Sequence, residues 1–435
     1  MSGFLRRNLF WLGDRLHGSP IGKHFAELRT NNQDYKAGIV YQNERLEELL
    51  YHATAYSQFY NEYRGKGIHE FPVVNKAILN EYRNQLVIDG SHLPFQKGEM
   101  HIQRTSGSTG APFAIPQDTR KRNRRIAELK YYGETVGFRS HEKLCQCRVW
   151  TKWHSKNRWQ SYIENIIPFN VTKMDDAVIE NLLRIVKEKK VKAVRAYASW
   201  FDAIIKYVMD TGYDLRNLKS LKVCFSGSEA LDATTRAKFK DSLGIDIVEC
   251  YANEEGGVIG HQKLCDANFY LNHASFLVEV LRLEDDSPVP YGELGRVVIT
   301  DLFNYAFPLI RYDTGDTAII EKGDKSSNYW PYLSKLFGRR LDLVFDAFGR
   351  PIHPMSFARI LKNIPGIVQW QFVQKSADHY ELRLNTNKKI DNDAVLDELK
   401  DILGTGANVA IVPVEEIPVL ASGKRKSVLC EWNHQ

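Results

Sequence analysis

Apolar residues change their spacing along this chain, and the changes mark out its elements. Over residues 175–190, Val178, Leu182, Ile185 and Val186 recur at helical spacing with charges between them, which predicts a helix. A run at 192–197 then reads as a strand, 233–242 as a second helix, and 221–225 and 245–250 as further strands. Ahead of these, Asp118 is a candidate N-cap for a helix that opens on Arg120-Lys121-Arg122-Asn123-Arg124-Arg125. This alternation from about residue 120 predicts an α/β construction, with ligands at the strand ends.

From Asn268 the pattern turns to strands at 276–283, 296–301 and 316–321, with turns at Asp285-Asp286 and Tyr291-Gly292, which predicts a β-rich lobe closing a large multi-layer domain. The last ninety or so residues return to mixed patterning, with strands expected at 368–374, 381–385 and 408–414 and a helix at 392–403. Two domains are therefore expected, a large one over 1–337 and a small α+β one over 338–435, with a hinge near 338–345. No internal repeat or low-complexity segment interrupts this order.

Strand-end and loop segments carry the candidate chemistry. Thr105-Ser106-Gly107-Ser108-Thr109-Gly110-Ala111-Pro112 packs hydroxyls and glycines into one loop. Its glycines let backbone N–H groups turn toward an anion and its hydroxyls add donors, so it reads as a phosphate loop, although a plain surface turn has the same composition. It lacks the Gly-Lys-Ser/Thr ending of the P-loop ATPases. Downstream stand Ser226-Gly227-Ser228-Glu229, Tyr251-Ala252-Asn253-Glu254-Glu255, Arg311-Tyr312-Asp313-Thr314-Gly315-Asp316, Gly338-Arg339-Arg340-Leu341-Asp342 and, near the end, Ser422-Gly423-Lys424.

These motifs, in this order, resemble the adenylate-forming superfamily of acyl-CoA synthetases, and most closely its compact phenylacetate-CoA ligase branch with the capsule-biosynthesis relatives of that branch. The resemblance covers about the last three quarters of the chain. It implies that a carboxylate attacks the α-phosphate of ATP to give an acyl-AMP and pyrophosphate, and that the acyl group then passes to a thiol, CoA above all, or to an amine of a sugar or polysaccharide precursor. Thr105, Ser106, Ser108 and Thr109 would hold phosphates, with Gly107 and Gly110 giving backbone access. Ser226, Gly227, Ser228 and Glu229 would lie along adenine, with Tyr251, Ala252 and Asn253 near the base. Glu255 would hold Mg²⁺; Glu254 replaces the family's threonine and shares that assignment. Asp316 would receive the ribose hydroxyls, Arg339 would sit near ribose and phosphates, and Asp342 would be the pivot of a mobile small domain. Lys424 would be the catalytic residue, its ammonium bridging carboxylate and α-phosphate. Asp313 stands where relatives often have Arg. A catalytically silent nucleotide-binding scaffold is the contrasting reading, prompted by Glu254.

Composition narrows the picture. Of the 435 residues 43% are hydrophobic and 11% aromatic, ample core material for a globular enzyme. A formal charge of +6, with 53 acidic among 59 basic residues, carries no general nucleic-acid signature. The basic run at 120–125 is expected to be a solvated helix face, with an approach to an anionic nucleotide or acyl carrier as the sharper alternative. The start, Phe4 to Asp14, lacks a cleavage site and is expected to form an amphipathic helix docked on its own domain rather than on a membrane surface. No run is long enough to span a membrane. Six irregularly spaced cysteines point to a reducing cytoplasm. His261 and Cys265, followed by His273, occupy the region where some relatives of this branch carry zinc, but their spacing is no recognised zinc knuckle and packed side chains are the plainer expectation. The resemblance leaves pairing into a homodimer open, and the acid is not legible.

Overall fold

The chain begins with three helices, α1 (Gly3–Leu16), α2 (Pro20–Gln33) and α3 (Tyr35–Tyr56), followed by the short α4 (Lys76–Glu81) and α5 (Arg83–Leu86). A hairpin, β1 (His101–Arg104) with β2 (Ala114–Gln117), leads into α6 (Thr119–Thr135). Then come β3 (Leu144–Arg148), α7 (Arg158–Glu164), β4 (Ile166–Asn170), α8 (Asp176–Glu188), β5 (Ala193–Ala196), α9 (Ala198–Thr211), β6 (Val223–Ser226) and α10 (Ala233–Leu243). An all-β stretch follows: β7 (Ile247–Asn253), β8 (Gly257–Gln262), β9 (Phe269–Leu271), β10 (Phe276–Leu281), β11 (Leu294–Asp301), β12 (Tyr312–Glu321) and β13 (Tyr332–Arg339). The remainder holds β14 (Val344–Phe345), β15 (Pro351–Ile352), α11 (Pro354–Leu361), β16 (Ile367–Gln374), β17 (His379–Thr386), α12 (Asn392–Leu403), β18 (Asn408–Pro413) and β19 (Val428–Cys430). This computed structural model describes residues 2–104, 113–148, 157–171, 175–227, 231–339, 344–352, 354–361, 364–418 and 427–432.

Acidic side chains start the predicted helices. Asp118 accepts the Lys121 N–H at 2.7 Å to open α6, Asp175 accepts the Val178 N–H at 2.9 Å to open α8, and Asp232 accepts the Thr234 N–H at 2.7 Å to open α10. Gly212 and Gly244 end α9 and α10 in the left-handed conformation, at φ 70° and 68°.

Eleven strands form one continuous sheet in the order β10-β11-β12-β13-β9-β8-β7-β6-β5-β3-β4. From β4 to β7 the strands are parallel, and from β7 to β10 every pairing is antiparallel. The expected β-rich lobe thus begins at Gly257, earlier than the pattern predicts, and extends the same sheet through β7. On the parallel half, Leu182, Leu183 and Val186 of α8 and Phe201 and Ile204 of α9 bury one face with Val194 and Cys224. The opposite face, with Ala193, Val223, Phe225 and Val248, packs with Val136 just beyond α6. Around the antiparallel half, Leu49 and Ala53 of α3 join Phe276, Val297, Ile299 and Leu333 in the largest core. A separate small four-stranded sheet, β18-β17-β16-β19, shares its own core with α11 and α12. The fold is that of a large sheet-rich α/β domain followed by a small C-terminal domain.

One helix departs from expectation. The basic run of α6 is not a solvated face: Lys121 and Arg124 are fully buried, and only Arg122 of the run is exposed. Lys121 pairs with Asp301 at the end of β11 at 2.6 Å. Arg124 donates to Glu27 of α2 at 2.8 Å, to Ser275 Oγ at 2.9 Å and to the Ala274 carbonyl at 2.6 Å. Cations three residues apart share a helix face, and here that face binds carboxylates and carbonyls inside the domain. Helix α1 is seated on its own domain through Phe10, Trp11 and Asp14, and leaves Leu5, Leu9, Leu12 and Leu16 exposed.

Candidate active site

The parallel strands deliver their carboxyl ends to one edge, and the motif residues collect there. Ser226 ends β6, buried, its hydroxyl without a hydrogen-bond partner among the described residues. Among the described residues, a Cβ on the next residue, Gly227, would meet only the Cys250 carbonyl, at 3.8 Å. Ser228 and Glu229 lie outside the described residues. The chain is fixed where it re-emerges: Leu231 N–H donates to Glu249 Oε1 at 3.1 Å, and Arg236 holds Glu249 Oε2 at 2.7 Å.

Tyr251 and Ala252 lie in β7, Asn253 ends it, and Glu254 and Glu255 form the turn to β8. Asn253 Oδ1 accepts the Gly256 N–H at 2.6 Å, closing that turn. Gly257 follows at φ 105°, and a Cβ there would lie 3.0 Å from Glu128 Oε2 of α6. Glu254 accepts from Gln103 Nε2 at 2.6 Å and lies 3.8 Å from Arg125, which also donates to the Glu254 carbonyl at 2.8 Å. Glu255 is buried, and its carbonyl accepts from Gln117 Nε2 at 3.2 Å. Gln103 and Gln117 belong to β1 and β2, the two strands that flank residues 105–112. The hairpin bearing the hydroxyl-rich segment is thereby tied to the Glu254-Glu255 turn, although Thr105, Ser106, Gly107, Ser108, Thr109 and Gly110 themselves lie outside the described residues.

Strand β12 brings the third motif to the same place. Tyr251 donates its hydroxyl hydrogen to Asp316 Oδ2 at 3.0 Å and lies 3.2 Å from Thr314 Oγ1. Gly315 takes φ 76°, and the Asp316 N–H donates to Thr314 Oγ1 at 3.2 Å, so the Thr-Gly-Asp segment is locally self-bonded. Across the β12–β13 ladder, Asp316 stands directly opposite Arg339. Gly338 and Arg339 thus continue a strand, where a hinge was expected to begin; Asp342 and Lys424 lie outside the described residues. Asp313, the departure from the family pattern, pairs with Arg296 at 3.0 Å, so its charge is answered away from Asp316. Arg311 of the same motif is structural: it sits at φ 47°, buried, holding Glu279 at 3.1 Å and the Phe71 carbonyl at 3.0 Å.

His261 and Cys265 are not assembled into a metal site. His261 is buried, donates from Nδ1 to the Gln262 carbonyl at 2.7 Å and stacks on Tyr132 at 5.3 Å; burial pushes its pKa down to about 4. Cys265 is exposed and meets Asp246 at 3.4 Å, while His273 stacks on Trp330 and bonds the Pro331 carbonyl at 2.9 Å. Among the described residues no group of three or more His, Cys, Asp or Glu side chains could hold a metal ion.

Several neighbours escaped the sequence reading. Gln103, Gln117 and Arg125 touch the Glu254-Glu255 turn across more than a hundred residues of chain. Arg195, at the end of β5, stacks its guanidinium 5.2 Å above the Phe225 ring. Of these only Arg125 carried a sequence signal, as part of the basic run.

Comparison with known proteins agrees with this geometry. Residues 345–431 match the family described as the CapK C-terminal domain. Protein CapK of Staphylococcus aureus is 20% identical over 429 residues, covering 93% of this chain and 92% of that protein. Phenylacetate-coenzyme A ligase of Thermus thermophilus is 22% identical over 289 residues, 60% of this chain and 64% of that enzyme. Among solved structures, 2-hydroxyisobutyryl-CoA ligase in its postadenylation state aligns with a TM-score of 0.69 at 18% identity, covering 92% of this chain and 91% of that one. ATP-bound MatB of Rhodopseudomonas palustris aligns at a TM-score of 0.55 and 15% identity, over 75% and 66%. Nested motifs, sheet and relatives converge: the chain is homologous to CapK and the phenylacetate-CoA ligases, and its fold is that of the adenylate-forming ligases.

Proposed function

We propose that this protein activates a carboxylic acid with ATP, forming an acyl-AMP and pyrophosphate, and then transfers the acyl group to CoA. The observation that carries the reading is the meeting of Tyr251, Thr314 and Asp316, with Arg339 opposite, together with a buried Ser226 hydroxyl that has no partner among the described residues. Asp316, positioned by the Tyr251 hydroxyl on one oxygen, is a carboxylate of the kind that two ribose hydroxyls require as acceptor. Ser226 and the open space at Gly227 suit a flat base laid against the backbone. In the first step an acid oxygen bonds to the α-phosphorus while the bond to the pyrophosphate oxygen breaks. Negative oxygens crowd together there, and the Lys424 ammonium, with the hydroxyls and N–H groups of 105–110, would offset that charge. Mg²⁺, when bound, would neutralise phosphate oxygens, and Glu255 suits it better than Glu254, whose carboxylate already accepts from Gln103.

In the second step a thiol attacks the acyl carbon and AMP leaves. CoA as acceptor follows the phenylacetate-CoA ligase relatives. The match of residues 345–431 to the CapK C-terminal domain favours a second acceptor, an amine on a capsule or exopolysaccharide precursor. The test is pyrophosphate release from Mg-ATP across a panel of aryl, acyl and amino acids, followed by discharge of the adenylate with CoA or amino sugars. Acid-dependent release with CoA-dependent AMP formation is expected. ATP binding with no release from any acid would instead fit a silent nucleotide-binding scaffold.

A further inference from the structure

The exposed leucines of α1 have an organised setting. At 100° per residue, Leu5, Leu9, Leu12 and Leu16 fall within a narrow arc of the helix, and all four are exposed. The other side of α1 is tightly seated. A Cβ on Gly3 would lie 2.7 Å from the His141 carbonyl, Phe10 packs on the His141 ring at 4.9 Å, Trp11 meets Phe25 at 5.6 Å, and Asp14 accepts the Ile21 and Gly22 N–H groups at 3.0 and 2.8 Å. The stripe is therefore held outward by a fixed helix.

Helix α7 continues the apolar surface. Arg6 of α1 stacks 4.5 Å over Tyr162, and on α7 Trp159, Tyr162 and Ile163 are more than half exposed. Basic groups crowd the same region. Arg15 of α1 and Arg158 of α7 are exposed, while Arg6 is buried and Arg7 half-buried toward the domain; the acids nearby are Asp14, which caps α2, and Glu164. Lys130 of α6 lies 3.9 Å over Phe10, and Glu142 nearby is already paired with Lys222 at 2.6 Å. The concentration of positive charge shows in His141, held down to about 4 by burial and by Lys130, Arg6 and Arg7.

We propose that the α1–α7 face docks on an anionic lipid bilayer, its leucines and Trp159 entering the headgroup boundary while the exposed Arg15 and Arg158 meet lipid phosphates. Leucines on one arc, an exposed Trp and Tyr beside them and an arginine border are the composition of an interfacial helix surface. A second copy fits this face less well, since a two-fold pairing would set one arginine border against the other. The inference is independent of the acyl-transfer reading.

Flotation of the full chain with vesicles tests it. Wild-type protein should float with phosphatidylcholine vesicles containing phosphatidylglycerol, weakly or not at all with pure phosphatidylcholine, and less as salt rises. Leu9→Glu with Leu12→Glu should cut flotation by roughly tenfold or more while the circular dichroism stays native, because both side chains point away from the fold. Arg15→Glu with Arg158→Glu should weaken binding and flatten its salt dependence. No flotation on anionic vesicles, or flotation unchanged in the leucine variant, would overturn the proposal. So would a wild-type dimer that the leucine variant converts to monomer, which would assign the face to a second copy of this chain.

Discussion

Asp316 and Tyr251 stand 65 residues apart in sequence and 3.0 Å apart in space. Each was legible as a motif residue, yet their pairing was not, because it depends on how β7 and β12 are brought together within one sheet. If Asp316 receives the ribose, Asp316→Asn should weaken ATP binding about tenfold or more, and Tyr251→Phe, which removes the hydroxyl that positions that carboxylate, by less; isothermal titration with ATP measures both. His261 and His273 give a second residue-scale prediction. Burial lowers both to about 4, so each folds in the neutral form. Unfolded chains bind these protons near pH 6.5, so the stability from both groups is complete above that pH and is lost as pH falls toward 4. The unfolding free energy should drop steeply between pH 6.5 and 4.5, by about 2 kcal/mol per histidine. His261→Gln with His273→Gln should shallow that slope; an unchanged slope would place the acid sensitivity elsewhere.

Elements with a clear period were legible: α8, α10, α12, β16 and β18 fall within two residues of their expected bounds. Strand β8 was not, since Gly257-Val258-Ile259-Gly260-His261-Gln262 is buried along its whole length and shows no alternation. α6 misled in the opposite direction. A run of cations reads as solvent-facing, but Lys121 and Arg124 find Asp301 and Glu27, partners that lie on other elements and are invisible to local pattern. Lys121→Ala should therefore destabilise the fold by about 3–5 kcal/mol, because it strands a buried carboxylate, and adding Asp301→Asn should recover part of the loss. Urea denaturation of the two variants checks this; a Lys121→Ala protein as stable as wild type would mean that the pair does not hold α6. At Gly38 of α3, a Cβ would lie 2.3 Å from the Asn31 carbonyl and 2.5 Å from the Trp330 ring, so Gly38→Ala should cost about 1–3 kcal/mol in the same assay.

At the scale of the whole molecule, β7 is the strand on which the architecture turns. Its parallel neighbour β6 supplies Ser226, its own residues supply Tyr251, and the antiparallel strands reached through β8 supply Asp316 and Arg339. The order of the motifs was enough to suggest the family, although a relative covering 93% of the chain is only 20% identical. The sheet that joins them was not legible, since strand order is set by long-range pairing. We place the division of the chain near 338–345, where β13 ends and the core of the C-terminal unit starts at Val344. On this reading Lys424, on the small domain, has to reach the large domain for the first step of the reaction.

ATP–pyrophosphate exchange in the presence of an accepted acid, compared between wild type and Lys424→Ala, tests that claim most directly. Wild-type protein should show exchange, and a folded, ATP-binding Lys424→Ala variant should lose at least about a hundredfold of it. Exchange at the wild-type rate in that variant would contradict the claim.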